Sequence, residues 1–134
     1  MNSFELTIVT PEGSKYQGEA ERVTVRTTDG EVSLLHGHIN YAAALGMGKA
    51  EIVVHGEVKK ACCIGGVIAM TNNVARIVAT TFEWADELDR GRAETALLRA
   101  EKALEDVNLT AEEKRPFEAA RRRALVRISC ADNK

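Results

Sequence analysis

The stretch Glu83-Trp84-Ala85-Asp86-Glu87-Leu88-Asp89-Arg90-Gly91-Arg92-Ala93 is where this 134-residue chain changes character. Up to residue 85 lie nine of the ten glycines and five of the six aromatic residues. Beyond Asp86 stand one glycine, Gly91, and one aromatic, Phe117, among abundant Ala, Arg and Glu. Residues 86–134 carry eleven basic and eleven acidic side chains, against seven and nine in residues 1–85. Two architectures are therefore joined at this point, a glycine-punctuated β part and an Ala/Arg/Glu helical part. The reading is an α+β chain. A β-sandwich over 1–85, antiparallel and of about ten short strands, is followed by an antiparallel α-helical hairpin over 86–134.

Working back from the break, apolar residues recur with a period close to two. Phe4, Leu6 and Ile8 alternate with Glu5 and Thr7, and Val23 and Val25 with Arg22, Thr24 and Arg26. This is the pattern of half-buried strands. Further short runs are Val32–Leu35, Tyr41–Leu45, Ile52–Val54, Val58–Ile64, Val67–Met70 and Val74–Val78. Turn signals separate them: Pro11-Glu12-Gly13, Asp29-Gly30, His55-Gly56, Gly65-Gly66 and Asn72-Asn73. The spacing leaves no room for crossover helices, so a sandwich or barrel is predicted and not a βαβ fold.

Working forward, Leu88, Ala96, Leu97, Ala100, Ala103, Leu104 and Val107 form a stripe of helical period, with Asp86 as the expected N-cap. Asp106-Val107-Asn108-Leu109 interrupts it, and Thr110-Ala111-Glu112-Glu113 has capping-box spacing. A second helix places Phe117, Ala120, Ala124 and Ile128 on one face. Pro116 must kink its first turns or move its start to about Arg115. Each helix is expected to run about 20 residues, roughly 30 Å. The narrow Ala seam buries little area, so the hairpin should lean on the sandwich or a partner.

Composition excludes several classes. A net charge of −2 is not the basic excess of a nucleic-acid coat. No apolar run approaches the roughly 20 residues that span a bilayer, and the first residues lack a signal-peptide pattern. A cytoplasmic setting is expected, in which Cys62, Cys63 and Cys130 stay reduced. Cys62 and Cys63 are adjacent and should point to opposite strand faces. No serine sits in a nucleophile-elbow motif, and Cys62 and Cys63 have no evident pocket, so an enzyme has little support. His36 and His38 lack the further ligands a metal would need. A stand-alone ligand-binding sandwich would suit residues 1–85 but leaves the Arg-rich hairpin unexplained.

The order of short motifs resembles the epsilon subunit of bacterial F-type ATP synthase over essentially the whole length. The resemblance rests on Leu6-x-Ile8-Val9-x-Pro11, Tyr16-x-Gly18-x-Ala20, Gly30-Glu31, Gly37-His38, Ile64-Gly65-Gly66-Val67 and Leu88-Asp89-x-x-Arg92-Ala93. The family's loop G-E-x-x-x-x-P-G-H-x-P appears as Gly30 to Asn40 without either proline. The resemblance implies a non-catalytic rotor-stalk subunit that requires no cofactor. Its sandwich would dock on the gamma subunit and the c-ring, with the Gly37-His38 loop at the c-ring end. Its hairpin would be mobile and, extended into the alpha/beta catalytic head, would brake ATP hydrolysis. The chain would lie at the cytoplasmic face of the bacterial membrane, touching the membrane only through the complex, with no nucleic-acid partner.

In some members the folded hairpin binds ATP at the motif matched by Leu88, Asp89, Arg92 and Ala93. Arg92 and Arg99 share one helix face, and Arg123 and Arg127 share a face of the other. If those faces meet, four guanidiniums converge, an arrangement suited to phosphate oxygens. Ala93 would leave room for a base, Leu88 would wall it, and Asp89 and Glu83 would accept from an amino group or orient the arginines. There is no P-loop, so the implied role is sensing without hydrolysis. The alternative is that these are solvated charges balanced by Glu94, Glu101 and Glu118. Arg121 and Arg122 have uncertain register.

Overall fold

A computed structural model describes residues 2–132 of the chain. Eight strands precede two helices: β1 (Phe4–Thr10), β2 (Gly13–Ala20), β3 (Arg22–Thr27), β4 (Gly30–Leu35), β5 (Tyr41–Ala44), β6 (Met47–Val54), β7 (Glu57–Thr71) and β8 (Val74–Trp84), then α1 (Arg90–Leu104) and α2 (Ala111–Ala131). The sheet order is β2-β1-β8-β7-β6-β3-β4, with β5 also paired to β7. The pairings are antiparallel except β1 with β8, which run parallel. The α+β sandwich-plus-hairpin architecture is as the sequence predicts.

Among the described residues the strands number eight against about ten expected, and one of the missing boundaries is Gly65-Gly66, which is not a turn. The predicted runs Val58–Ile64 and Val67–Met70 are two halves of the 15-residue β7. The first half pairs with β6 and the second with β5, while β8 follows both. The two glycines take φ of 71° and 113°, a conformation that L side chains rarely adopt. Leu45 N–H donates to Gly66 O and Gly65 N–H to Gly46 O, so the neighbouring chain bends at the same level. A doubled glycine thus folds one strand into both layers without ending it. The other turn signals do end strands, with His55-Gly56 and Asn72-Asn73 at positive φ.

Alternation decides what is buried. Phe4, Leu6, Ile8, Val23, Val25, Leu34, Ile52, Ile68, Met70, Ile77 and Phe82 fill the sandwich, and Cys63 joins them. Cys62, one residue earlier, faces the other way, into a small cluster with Ile64, Leu88 and Cys130, flanked by Met47 and Val126. This second cluster seats the hairpin: α2 packs on α1 and on β6 and β7.

Both helix starts differ in part from expectation. Asp86 is not the cap of α1. Residues Ala85–Glu87 form a 3-10 turn, Leu88 is extended, and Asp89 caps α1 by accepting from the Arg92 N–H at 3.1 Å. That entry turn shortens α1 to 15 residues, below the expected 20. Of its predicted stripe, Ala100 is buried, but Ala96 and Val107 are exposed and Ala93 is buried in their place. In α2 the capping box is complete, with Thr110 Oγ1 accepting from Glu113 N–H and Glu113 Oε1 from Thr110 N–H. It starts the helix at Ala111, so Pro116 neither moves the start to Arg115 nor breaks the assignment. The proline withholds one N–H from the carbonyl of Glu112, which is exposed and can be hydrated. Among the described residues no helix is long and apolar enough to cross a membrane.

Candidate functional site

The helix register brings the predicted arginines to one place. A cleft of about 770 Å³ opens between α1, α2, the end of β8 and the β1–β2 turn. Glu83, Leu88, Asp89, Arg92, Ala93, Arg99, Arg123 and Arg127 all line it. Arg92 and Arg99 come from α1, two turns apart, and Arg123 and Arg127 from α2, one turn apart. Arg121 and Arg122 do not line it, and Arg121 lies 3.8 Å from Glu101, across the hairpin.

Some of these polar groups have local partners. Arg127 Nε donates to Glu83 Oε1 at 2.8 Å, joining α2 to β8. Asp89 is committed to capping, which fixes where Arg92 leaves the helix. Ala93 is buried, and the small side chain keeps the cleft open beside it. Leu88 is also buried and forms the wall shared with the Cys62 cluster. Elsewhere on the hairpin, Arg90 is held by Glu94 at 2.6 Å and by Asp132, which closes the open end of the helix pair.

Sequence reasoning missed the floor. Thr10, Glu12, Lys15, Thr80, Thr81 and Glu87 also line the cleft. Lys15 stands 3.5 Å from Glu12. The β1–β2 turn reaches the helices only because β1 pairs parallel with β8, a long-range pairing without a local signal. With these residues the lining is mixed in sign, with five cations facing Glu12, Glu83, Glu87 and Asp89.

The Gly37-His38 loop lies at another edge of the sandwich. It lacks the two φ angles that prolines would fix, and asparagines pin it instead. Gly37 N–H donates to Asn73 Oδ1 at 2.9 Å and Asn72 N–H to Asn40 Oδ1 at 3.1 Å. His36 Nδ1 sits 2.8 Å from Ser3 O. His38 packs edge-on against Tyr41, leaving Ile39 79% exposed at the tip.

Residues 3–85 match the family model for the ATP synthase delta/epsilon chain β-sandwich domain. The ATP synthase epsilon chain of Caldicellulosiruptor bescii is 36% identical over 132 residues, covering 98% of this chain and 96% of that protein. This chain belongs to the ATP synthase epsilon-chain family. The epsilon chain of Caldicellulosiruptor saccharolyticus is 34% identical over 128 residues, covering 96% and 93%. In these epsilon-chain relatives the similarity runs through the hairpin as well as the sandwich. The fold recurs in a chain of the Euglena gracilis mitochondrial ATP synthase, at a TM-score of 0.72, 21% identity, and coverage of 98% of this chain and 79% of that one. It recurs again in the central stalk and c-ring structure of the Tetrahymena thermophila mitochondrial enzyme, at a TM-score of 0.62, 17% identity and 95% coverage of both chains.

Proposed function

We propose that this chain is a non-catalytic central-stalk subunit of an F-type ATP synthase. The sandwich, residues 1–85, is the docking unit, and residues 86–134 are a regulatory arm. The carrying observation is the full-length similarity to epsilon chains, hairpin included. The surface supports docking. Val67 and Val78 are neighbours in register on the outer face and are 52% and 50% exposed, with Val9 beside Val78. A row of half-exposed valines across three strands is an apolar patch of the kind that partners cover. The gamma subunit is its occupant, and the pinned loop ending in Ile39 meets the c-ring. The subunit works at the cytoplasmic face of the membrane, held there by the complex.

The hairpin is a brake on ATP hydrolysis. Its seat on the sandwich is small, four buried residues with a few flanking ones. Folded and extended forms can then differ by only a few kcal/mol, as a switch needs. In the folded form the arginine-lined cleft takes ATP, with guanidiniums on the phosphates and the base beside Ala93. Bound ATP stabilises the folded hairpin and so releases the brake. ATP is a regulatory ligand here, not a cofactor.

The test is ATP hydrolysis by the assembled complex with and without residues 88–134. Deletion should raise hydrolysis, most at low ATP. Equal rates at all ATP levels would remove the braking role, and failure of the full chain to co-purify with gamma would remove the stalk role.

A further inference from the structure

We infer that Cys62 and Cys130 are a dithiol–disulfide pair that can fasten the hairpin to the sandwich. Cys62 is on β7 and Cys130 in the last turn of α2, and both are buried in the small cluster that seats α2. Both belong to one four-residue buried cluster, Cys62 on its strand side and Cys130 on its helix side. Their nearest rival, Cys63, points into the sandwich core on the other face of β7. A covalent bond between the two would therefore cross the one interface through which the hairpin leaves.

In the folded hairpin Cys130 is the more acidic of the two thiols. The hydrogen bond from Cys62 and the nearby Lys49 ammonium hold its thiol below the ordinary range, against burial and Glu83. Cys62 is pushed up by donating that bond and by burial. Cys63 is pushed up to about 12 by burial and stays a thiol. The thiolate is the attacking species in exchange.

The oxidant is a small-molecule disulfide. When the hairpin lifts, Cys130 is exposed near the end of the freed α2, gives up its proton and attacks one sulfur of that disulfide, forming a mixed disulfide and releasing one thiol. When the hairpin returns, Cys62 gives up its proton and attacks the Cys130 sulfur, expelling the second thiol. Two protein thiols lose two electrons and two protons, and one small disulfide becomes two thiols. A dithiol reductant reverses the step. The regulatory consequence, a hairpin kept off the catalytic head under oxidation, rests on the braking role proposed above; the bond itself does not.

The full chain is incubated with oxidised glutathione, and its thiols are counted and its peptides mapped by mass spectrometry. The chain has three free thiols. The expected result is one remaining thiol, Cys63, a Cys62–Cys130 linked peptide, and recovery of all thiols with dithiothreitol. Amide exchange in α2 should slow by about tenfold or more on oxidation, while the sandwich core is unchanged. Three titratable thiols, a stable glutathione adduct on Cys130, or a link through Cys63 would each overturn the inference. So would a Cys62–Cys130 bond that leaves α2 exchange unaltered. A Cys63→Ala chain should behave as the parent, and Cys130→Ala should form no internal bond. Loss of gamma binding in a chain that still forms the bond would count against the proposed function alone.

Discussion

Arg127 of α2 and Glu83 of β8 meet at 2.8 Å, tying the hairpin's second helix to the sandwich strand that lines the cleft. Both side chains keep about a third of their exposure, 30% and 37%, so water discounts the pair to about 1 kcal/mol or less. That is small against the sandwich core but not against a seat of four buried residues. Glu83→Gln should therefore speed amide exchange in α2 by up to about fivefold and leave exchange in β1 and β8 unchanged. Equal acceleration of the sandwich amides would show that Glu83 supports the core and not the seat.

The convergence of arginines makes a calorimetric prediction. ATP titrated into the full chain should give saturable heat. Arg92→Ala and Arg123→Ala should each weaken binding about tenfold or more, since a charge-assisted hydrogen bond is worth roughly 1.5–3 kcal/mol. Arg122→Ala is the control, because Arg122 lies outside the cleft lining. No heat at millimolar ATP would end the sensing role and leave the brake to contacts with other subunits.

Legibility in the sequence followed the range of the interaction. Alternation in Phe4–Ile8 and the capping box at Thr110 are local, and both read correctly. The meeting of Arg92, Arg99, Arg123 and Arg127 was legible because helical spacing fixes the faces and a short link forces the helices antiparallel. Gly65-Gly66 was misread, since a glycine pair has the same local signature in a turn and in a strand corner. Asp86 was misplaced as a cap because the 3-10 turn before Leu88 depends on how β8 delivers the chain to the hairpin. Lys15, Glu12 and the parallel β1–β8 pairing carried no local signal. Cys130 was read only as a reduced cysteine, because the Cys62 cluster it joins is built on a distant strand.

The corner in β7 is the place where a methyl group does most harm. A Cβ on Gly66 would stand 2.1 Å from Val78 O and 2.7 Å from Ala79 Cα, both backbone atoms of β8. Neither can move without breaking the β7–β8 ladder. Gly66→Ala should cost about 3 kcal/mol or more, read as a lowered urea midpoint at an unchanged slope. Gly56→Ala is the comparison. Its φ of 78° carries strain but nothing lies within 4 Å, so the loss should be about 1 kcal/mol. Similar losses at the two sites would mean that β7 relaxes around the corner.

Thr110 controls the start of α2 and gives the hairpin an acid-sensitive end. Thr110→Ala removes the hydroxyl that accepts from Glu113 N–H at 3.1 Å, at a cost of about 1 kcal/mol to the helix. The reciprocal bond, from Thr110 N–H to the Glu113 carboxylate at 3.0 Å, holds the Glu113 carboxyl below its ordinary range. A group depressed in the folded state contributes stability that is fully present above the ordinary glutamate range and disappears as pH falls through the lowered value. Amide protection at Glu113 and Lys114 should thus be flat through neutral pH and fall only in acid. In Thr110→Ala and in Glu113→Gln the acid-dependent part should shrink, the second variant keeping a neutral acceptor in place. Measured by amide exchange from neutral to acidic pH, an acid loss of equal size in all three chains would place its origin elsewhere on α2.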